Sequence, residues 1–180
     1  MRREHMHNSK SPAGFLVANR HLFPTGRVLD IAMGAGRNAV YLAHEGFDVE
    51  GVDISAEAVA KALALADLEN VKIMTHVADL EAGYPIPLSA YDVIICFYYL
   101  HRPLISEIKQ GLRPGGIVVY ETYNSDQAEW GRPKNPEHLL RPGELLNMFC
   151  DYRILRYREG VIEPRKAIAS IVARKTEKEG

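Results

Sequence analysis

Val28-Leu-Asp-Ile-Ala-Met-Gly-Ala-Gly-Arg-Asn-Ala39 decides the fold. An apolar, strand-like run carrying one acidic residue, Asp30, ends in a glycine-rich turn and gives way to helical spacing. Gly34 and Gly36 let the backbone turn sharply and allow a ligand to approach where a Cβ would intrude. The helix that follows directs its free N–H groups at the same place. Taken alone, Gly34-x-Gly36-x-x-Ala39 also satisfies a dinucleotide-binding fingerprint, so it leaves the choice of cofactor open.

Outward from this stretch the same grammar repeats. Residues 27–32 predict a strand, 38–45 a helix closed by Gly46, and 47–52 a second strand. Ser55 is placed to cap a helix running to Leu68, and 71–77 predict the third strand. After a loop over 79–90, residues 91–98 form the most apolar strand, Pro103 opens a helix and Gly111 closes it. Residues 116–121 predict another strand, 123–136 a polar, proline-rich loop, 142–150 a helix, and 152–157 with 166–173 a closing hairpin. Upstream, 13–23 predict a short helix stopped by Pro24-Thr25-Gly26. Strands alternating with helices imply an α/β fold: one doubly wound, Rossmann-like domain of seven strands. Its sheet is mostly parallel, with a C-terminal antiparallel hairpin placing one antiparallel strand at the edge. Ligands of such sheets bind outside the carboxyl ends of the strands.

The 180 residues are 47% hydrophobic and 25% charged, the balance of one soluble globular domain. Residues 1–10 are polar and expected to be a flexible tail, leaving 11–180 as the domain. A formal net charge of −1 supplies no field to hold nucleic acid or an anionic membrane. Cys96 and Cys150 are expected to be buried free thiols. No CxxC or HExxH spacing occurs, and His5 and His7 fall in the tail, so no metal site is expected. No apolar run is long enough to span a bilayer, and a cytoplasmic location is expected.

Two carboxylates choose between cofactors. Asp30, four residues before Gly34, would repel a pyrophosphate but can face an ammonium group. Asp53, ending the second strand, can accept hydrogen bonds from both hydroxyls of a ribose. Here the sequence resembles the class I S-adenosyl-L-methionine-dependent methyltransferases over residues 28–123. Residues 28–36 resemble their first motif, with Ala32 in place of a common glycine. Val52-Asp-Ile-Ser55, Val77-Ala-Asp79-Leu, Tyr91-Asp-Val-Ile-Ile-Cys96 and Leu112-Arg-Pro-Gly-Gly-Ile-Val-Val119 resemble the later motifs in order. Residues 120–123 and 140–146 look most like the small tellurite-resistance-like and type-11 groups. The resemblance implies S-adenosyl-L-methionine as cofactor. It also implies a binding set of Asp30, Ala32, Gly34, Gly36, Asn38, Asp53, Ile54, Asp79, Leu80 and Cys96.

Methyl transfer from a sulfonium is an in-line displacement that chiefly needs alignment and exclusion of water. Candidates for the acceptor side follow the fourth and fifth strands. Among Phe97, Tyr98 and Tyr99, at least one should face the core while another walls the pocket. His101 is a candidate base or orienting residue. Glu121 and Tyr123, two apart, share a pleat face and can both reach the site. A structural ion pair is the alternative for Glu121. Arg102 is expected to be solvated, with attraction of an anionic acceptor as the alternative, and Trp130 to be a lid or a packing anchor. Arg165 and Lys166 are expected to be surface charges, with closure over an acidic substrate as their alternative. The segment Cys96-Phe-Tyr-Tyr99 lacks the Asn/Asp-Pro-Pro-aromatic pattern of amino-methylating nucleic-acid enzymes, which favours a small-molecule acceptor. Two rivals stand beside this reading: a non-catalytic module that binds the cofactor, and a nicotinamide-dependent oxidoreductase.

Overall fold

The computed structural model describes residues 11–176; the expected tail over 1–10, with His5 and His7, lies outside them. Seven strands form one sheet in the order β3-β2-β1-β4-β5-β7-β6: β1 Arg27–Ile31, β2 Asp48–Asp53, β3 Met74–Val77, β4 Tyr91–Phe97, β5 Leu112–Tyr123, β6 Arg153–Glu163 and β7 Lys166–Arg174. The first five are mutually parallel, and β7 is antiparallel to both of its neighbours. The strand order reverses between β1 and the adjacent, parallel β4, which is the switch point where ligands of such sheets bind.

The alternation of side chains sorts the sheet into two cores. Val28, Val93, Ile95, Ile117 and Val119 pack on one face with α1 (Gly14–Asn19) and α2 (Arg37–His44). Leu29, Ile94, Cys96, Val118 and Tyr120 pack on the other with α4 (Leu104–Gly111) and α6 (Glu144–Met148). Helix α3 (Ala56–Leu68) lies beside α2, and its Val59 and Ala62 close over Met33. Burial on both faces is why these strands read as unbroken apolar runs.

Local chemistry sets the ends of the elements. Ser55 caps α3 by accepting from the Ala58 N–H at 3.1 Å. Gly46 (φ 90°) ends α2 with the paired bonds Phe47 N–H to Leu42 O and Gly46 N–H to Ala43 O. Asn70 (φ 55°) ends α3 in the same way, with Val71 N–H bonded to Ala66 O. That cap consumes Val71, so β3 begins at Met74 and is shorter than the sequence suggested.

The closing hairpin departs from the expected order. The antiparallel strand is β7, one place in from the edge, and β6 is the edge strand. The reason is composition: Ala167, Ile168, Ala169, Ile171, Val172 and Ala173 are buried on both faces, whereas the arginine-rich β6 is only half-buried. Cys150, two residues beyond α6, is exposed and corrects the expectation of a buried thiol, while Cys96 is fully buried. Among the described residues, no helix is long and apolar enough to cross a membrane.

The two glycines of the first loop do different work. A Cβ on Gly36 would lie 2.5 Å from the Ala62 Cβ, whereas one on Gly34 would meet nothing within 4 Å. Gly36 therefore sets the approach of α2 to α3, and Gly34 faces open space. Gly36→Val should cost roughly 2–4 kcal/mol of stability from overpacking and left-handed strain, read as a fall in Tm without any ligand. A Tm equal to that of the parent chain would contradict this division.

Candidate functional site

The loop after β1 is built on left-handed backbone: Ala32 at φ 53°, Gly34 at 56° and Gly36 at 78°. Ala32 adopts this conformation despite its Cβ, where glycine would be the unstrained residue. Two bonds from the end of β2 hold the loop in place. Met33 N–H donates to Val52 O at 3.0 Å, and Gly34 N–H to Asp53 Oδ2 at 2.8 Å. The other oxygen of Asp53 accepts from the Ser55 N–H at 2.9 Å. Each carboxylate oxygen keeps a second lone pair, so Asp53 can brace the loop and still accept from a ligand hydroxyl. Beside it Ile54 is 66% exposed, an apolar surface with no protein cover.

Asp30 lies under this loop, 1% exposed. Its Oδ2 is buried without a hydrogen-bond partner, while the Ala39 backbone N–H bonds the carboxyl. Burial, and secondarily the nearby Asp53, push the Asp30 pKa up to about 8; the Ala39 bond and the Arg37 charge act the other way. A buried acid with a spare oxygen is suited to a cationic donor and hostile to a phosphate. An ammonium-bearing ligand across Gly34 would satisfy it.

The remaining residues of the expected set are not equivalent. Asp79 is exposed and uses Oδ1 to accept from the Glu81 N–H at 2.9 Å, starting a 3₁₀ turn. Leu80 is in the core, and the Asn38 side-chain oxygen is occupied by the Ala13 N–H at 2.9 Å. The Cys96 thiol points into the core, its pKa raised to about 12 chiefly by burial. From Leu80 and Cys96 backbone groups remain the available contacts, and from Asn38 the side-chain amide donors as well.

On the other side, Phe97 goes to the core while Tyr98 and Tyr99 wall a cavity of about 310 Å³ at the ends of β4 and β5. Tyr98 stands at φ 58°, a conformation costing roughly 1–3 kcal/mol for a bulky residue. Its N–H donates to Glu121 O at 2.7 Å, its hydroxyl to Glu121 Oε1 at 2.8 Å, and its ring lies 5.3 Å from that of Tyr123. Glu121 does not reach the cavity. It is buried, accepting also from Ser170 Oγ at 2.7 Å and Arg158 at 3.2 Å, which fits the structural alternative. Tyr123 does line the cavity. His101 lines an adjoining cavity of about 380 Å³. Lys166, far from being a plain surface charge, lies 4.8 Å over the Tyr98 ring and pairs with Glu163.

The proline-rich loop leaves and rejoins the end of β5. Leu140 N–H bonds Tyr123 O and Ser125 N–H bonds Leu140 O, so residues 125–139 form a closed strap carrying α5 (Gln127–Trp130). Trp130 on α5 is partly exposed. Arg102 clasps this strap, contrary to the expected solvation. It donates to both oxygens of Glu144 at 2.7 and 3.0 Å, and to Glu137 O and Leu139 O at 3.0 Å each. The clasp presents His138, which lines both cavities and which the sequence reading missed, as it did Glu81 beside it. Their only signal was position in loops flanking the site. Among the described residues, no group of three His, Cys, Asp or Glu side chains is placed to hold a metal.

A methyltransferase-domain family matches residues 28–116. Among curated relatives, the ubiquinone biosynthesis O-methyltransferase of Sodalis glossinidius is 32% identical over 108 residues, 57% of this chain and 43% of that protein. Hemagglutinin 1 of Eikenella corrodens is 29% identical over 142 residues, 75% of this chain and 46% of that protein. The chain thus spans about half the length of the curated relatives it matches. The crystal structure of TehB from Haemophilus influenzae superposes with a TM-score of 0.77 at 23% identity, covering 94% of this chain and 64% of that one. That likeness establishes the fold.

Asp30 makes stability depend on pH. At low pH both folded and unfolded chains hold its proton. From the ordinary carboxylate value of 3.8 up to about 8, the unfolded chain releases the proton while the folded chain keeps it, so stability falls as pH rises. Asp30→Asn removes this burden. Its Tm advantage over the parent chain should be absent near pH 4, widen toward pH 8 and then level off; a pH-independent difference would refute the assignment.

Proposed function

We propose, because the chain belongs to the S-adenosylmethionine-dependent methyltransferase family through residues 28–116, that it transfers a methyl group from S-adenosylmethionine to a small-molecule acceptor. The observation that carries this reading is the buried, unpartnered oxygen of Asp30 beside the open face of Gly34. These residues fit the cofactor. The Asp30 carboxylate would receive its ammonium group, the loop from Ala32 to Gly36 would run along its methionine part, and Asp53 would accept from the ribose hydroxyls. The exposed face of Ile54 would cover one side of the adenine, with Asp79 at its rim. When bound, the cofactor supplies a methyl group activated by a sulfonium.

The chain's own contribution is placement. Asp53 fixes the loop through Gly34, and Glu121 fixes Tyr98 in its strained conformation, so the two halves of the site are held rigidly about the ends of β1 and β4. Rigid placement of the acceptor and removal of water supply most of the rate in an in-line displacement. The tyrosine-walled cavity at the ends of β4 and β5 is where a small acceptor would lie.

S-adenosylhomocysteine, which keeps the ammonium and ribose groups, tests the cofactor half without an acceptor. Asp53→Ala should weaken its binding at least tenfold, since one lost charge-assisted hydrogen bond is worth about 1.5–3 kcal/mol. Gly34→Val should abolish binding while leaving Tm closer to the parent value than Gly36→Val does. At pH 7 binding should also release protons as Asp30 ionises against the ammonium, detected by calorimetry in buffers of different ionisation enthalpy. Unchanged affinity in both folded variants would remove the loop from the site.

A further inference from the structure

We infer, resting on the methyltransferase reading above, that the acceptor is an uncharged aromatic hydroxyl compound, a phenol or catechol, bound between the tyrosines with its hydroxyl at His138. Tyr98, Tyr99, Tyr123 and Pro133 give the cavity flat apolar walls, and its volume of about 310 Å³ suits a single-ring ligand. Planar rings gain from such walls by burial and by offset stacking.

Charge narrows the class further. Among the described residues lining this cavity there is no lysine or arginine, and there is one carboxylate, Glu81. The adjoining cavity adds Glu137, and its one arginine, Arg102, is matched by Glu144. Arg37 and Lys166 stand 5.9 and 4.8 Å from the centre of the Tyr98 ring, yet neither lines the cavity, and Lys166 pairs with Glu163. An oxyanion or carboxylate entering here would shed its hydration and meet Glu81 instead of a cation. An ammonium would be welcomed by Glu81, but it has no lone pair to attack with until its proton is gone. A phenol keeps its lone pair when neutral, and with a pKa of about 10 its proton is removable as the new bond forms.

His138 is held for that proton. Arg102 bonds the carbonyls of Glu137 and Leu139, one on each side of it, so the clasp fixes the backbone that carries the imidazole. The imidazole itself makes no hydrogen bond to another described residue. Imidazole is the side chain suited to accept a proton near neutral pH. The acceptor oxygen forms its bond to the methyl carbon as the carbon–sulfur bond breaks, the bonding pair staying on sulfur. The hydroxyl proton passes to His138 and then to water. Arg102 acts through His138 and is a positioning residue.

The test uses the full chain with S-adenosylhomocysteine bound, titrated calorimetrically with phenol, catechol, guaiacol and, as the anionic arm, selenite. Saturable binding of at least one of the three phenols, and none of selenite, is the expected result. Methyl transfer from S-adenosylmethionine to the bound phenol should fall 10²–10⁴-fold in His138→Gln, the usual range for a general base, with phenol affinity kept. Arg102→Lys should lower turnover and leave S-adenosylhomocysteine affinity unchanged, and the pH–rate profile of His138→Gln should lose its rise toward neutral pH. Binding of selenite alone, or of none of the phenols, overturns the acceptor class. An unaltered pH profile in His138→Gln overturns its role. Failure of S-adenosylhomocysteine to bind overturns the methyltransferase reading itself, a separate and prior outcome.

Discussion

The 2.8 Å bond from the Gly34 N–H to Asp53 Oδ2 joins the ends of β1 and β2 across the mouth of the sheet, and the geometry of the site hangs on it. Without that acceptor, the left-handed run from Ala32 to Gly36 would keep only the Met33 N–H to Val52 O bond to the end of β2. The same run lies over Asp30, so the bond also keeps a buried carboxyl roofed. A single carboxylate at the end of β2 thus sets the shape of the loop, and through it the desolvation that raises the Asp30 pKa. Loop shape and site electrostatics are one constraint here.

The proposed acceptor side repeats this logic with different parts. Glu121 holds Tyr98 by both its backbone and its side chain, and ties them to β6 and β7 through Arg158 and Ser170. The hairpin therefore does more than finish the sheet: it supplies the partners that keep a buried carboxylate satisfied, without which the strained Tyr98 would relax. Arg102 does the equivalent for the strap, spending its guanidinium on Glu144 and two carbonyls. Such bidentate, multiply bonded arginines order a segment far better than a surface ion pair does.

What the sequence disclosed follows from how local each signal is. Ser55, Gly46, Pro103 and Gly111 mark element ends by chemistry within a few residues, and the structure places those ends where their residue types require. The strand order of the hairpin was partly legible, since the apolar run of β7 demands two covered faces and the arginines of β6 tolerate one. The division between Gly34 and Gly36 was not legible, because it depends on Ala62, a residue of another helix 26 positions away. For the same reason Glu121 resembled a site residue: only Arg158 and Ser170, brought in by the hairpin, reveal its occupation. His138 and the exposure of Cys150 likewise depend on how the strap and α6 close against the sheet.

The proposed cofactor half and acceptor half therefore differ in how they are encoded. Asp30, Gly34 and Asp53 fall within 24 residues, and their spacing is tied to two adjacent parallel strands that the fold cannot do without. The proposed acceptor cavity is assembled from Glu81 of the β3–β4 connection, Tyr98 after β4, Tyr123 at the end of β5 and His138 of the strap. Tyr98 and Tyr123 are tied to the scaffold through Glu121 and the packing about Ile168, whereas Glu81 and His138 stand in loops outside both cores, where a different side chain would leave the cores intact. The character of the cavity can change at those two loop positions without cost to the scaffold. The charge and shape of that cavity, rather than the fold, are accordingly the quantities that bear on which acceptor the proposed reaction would take.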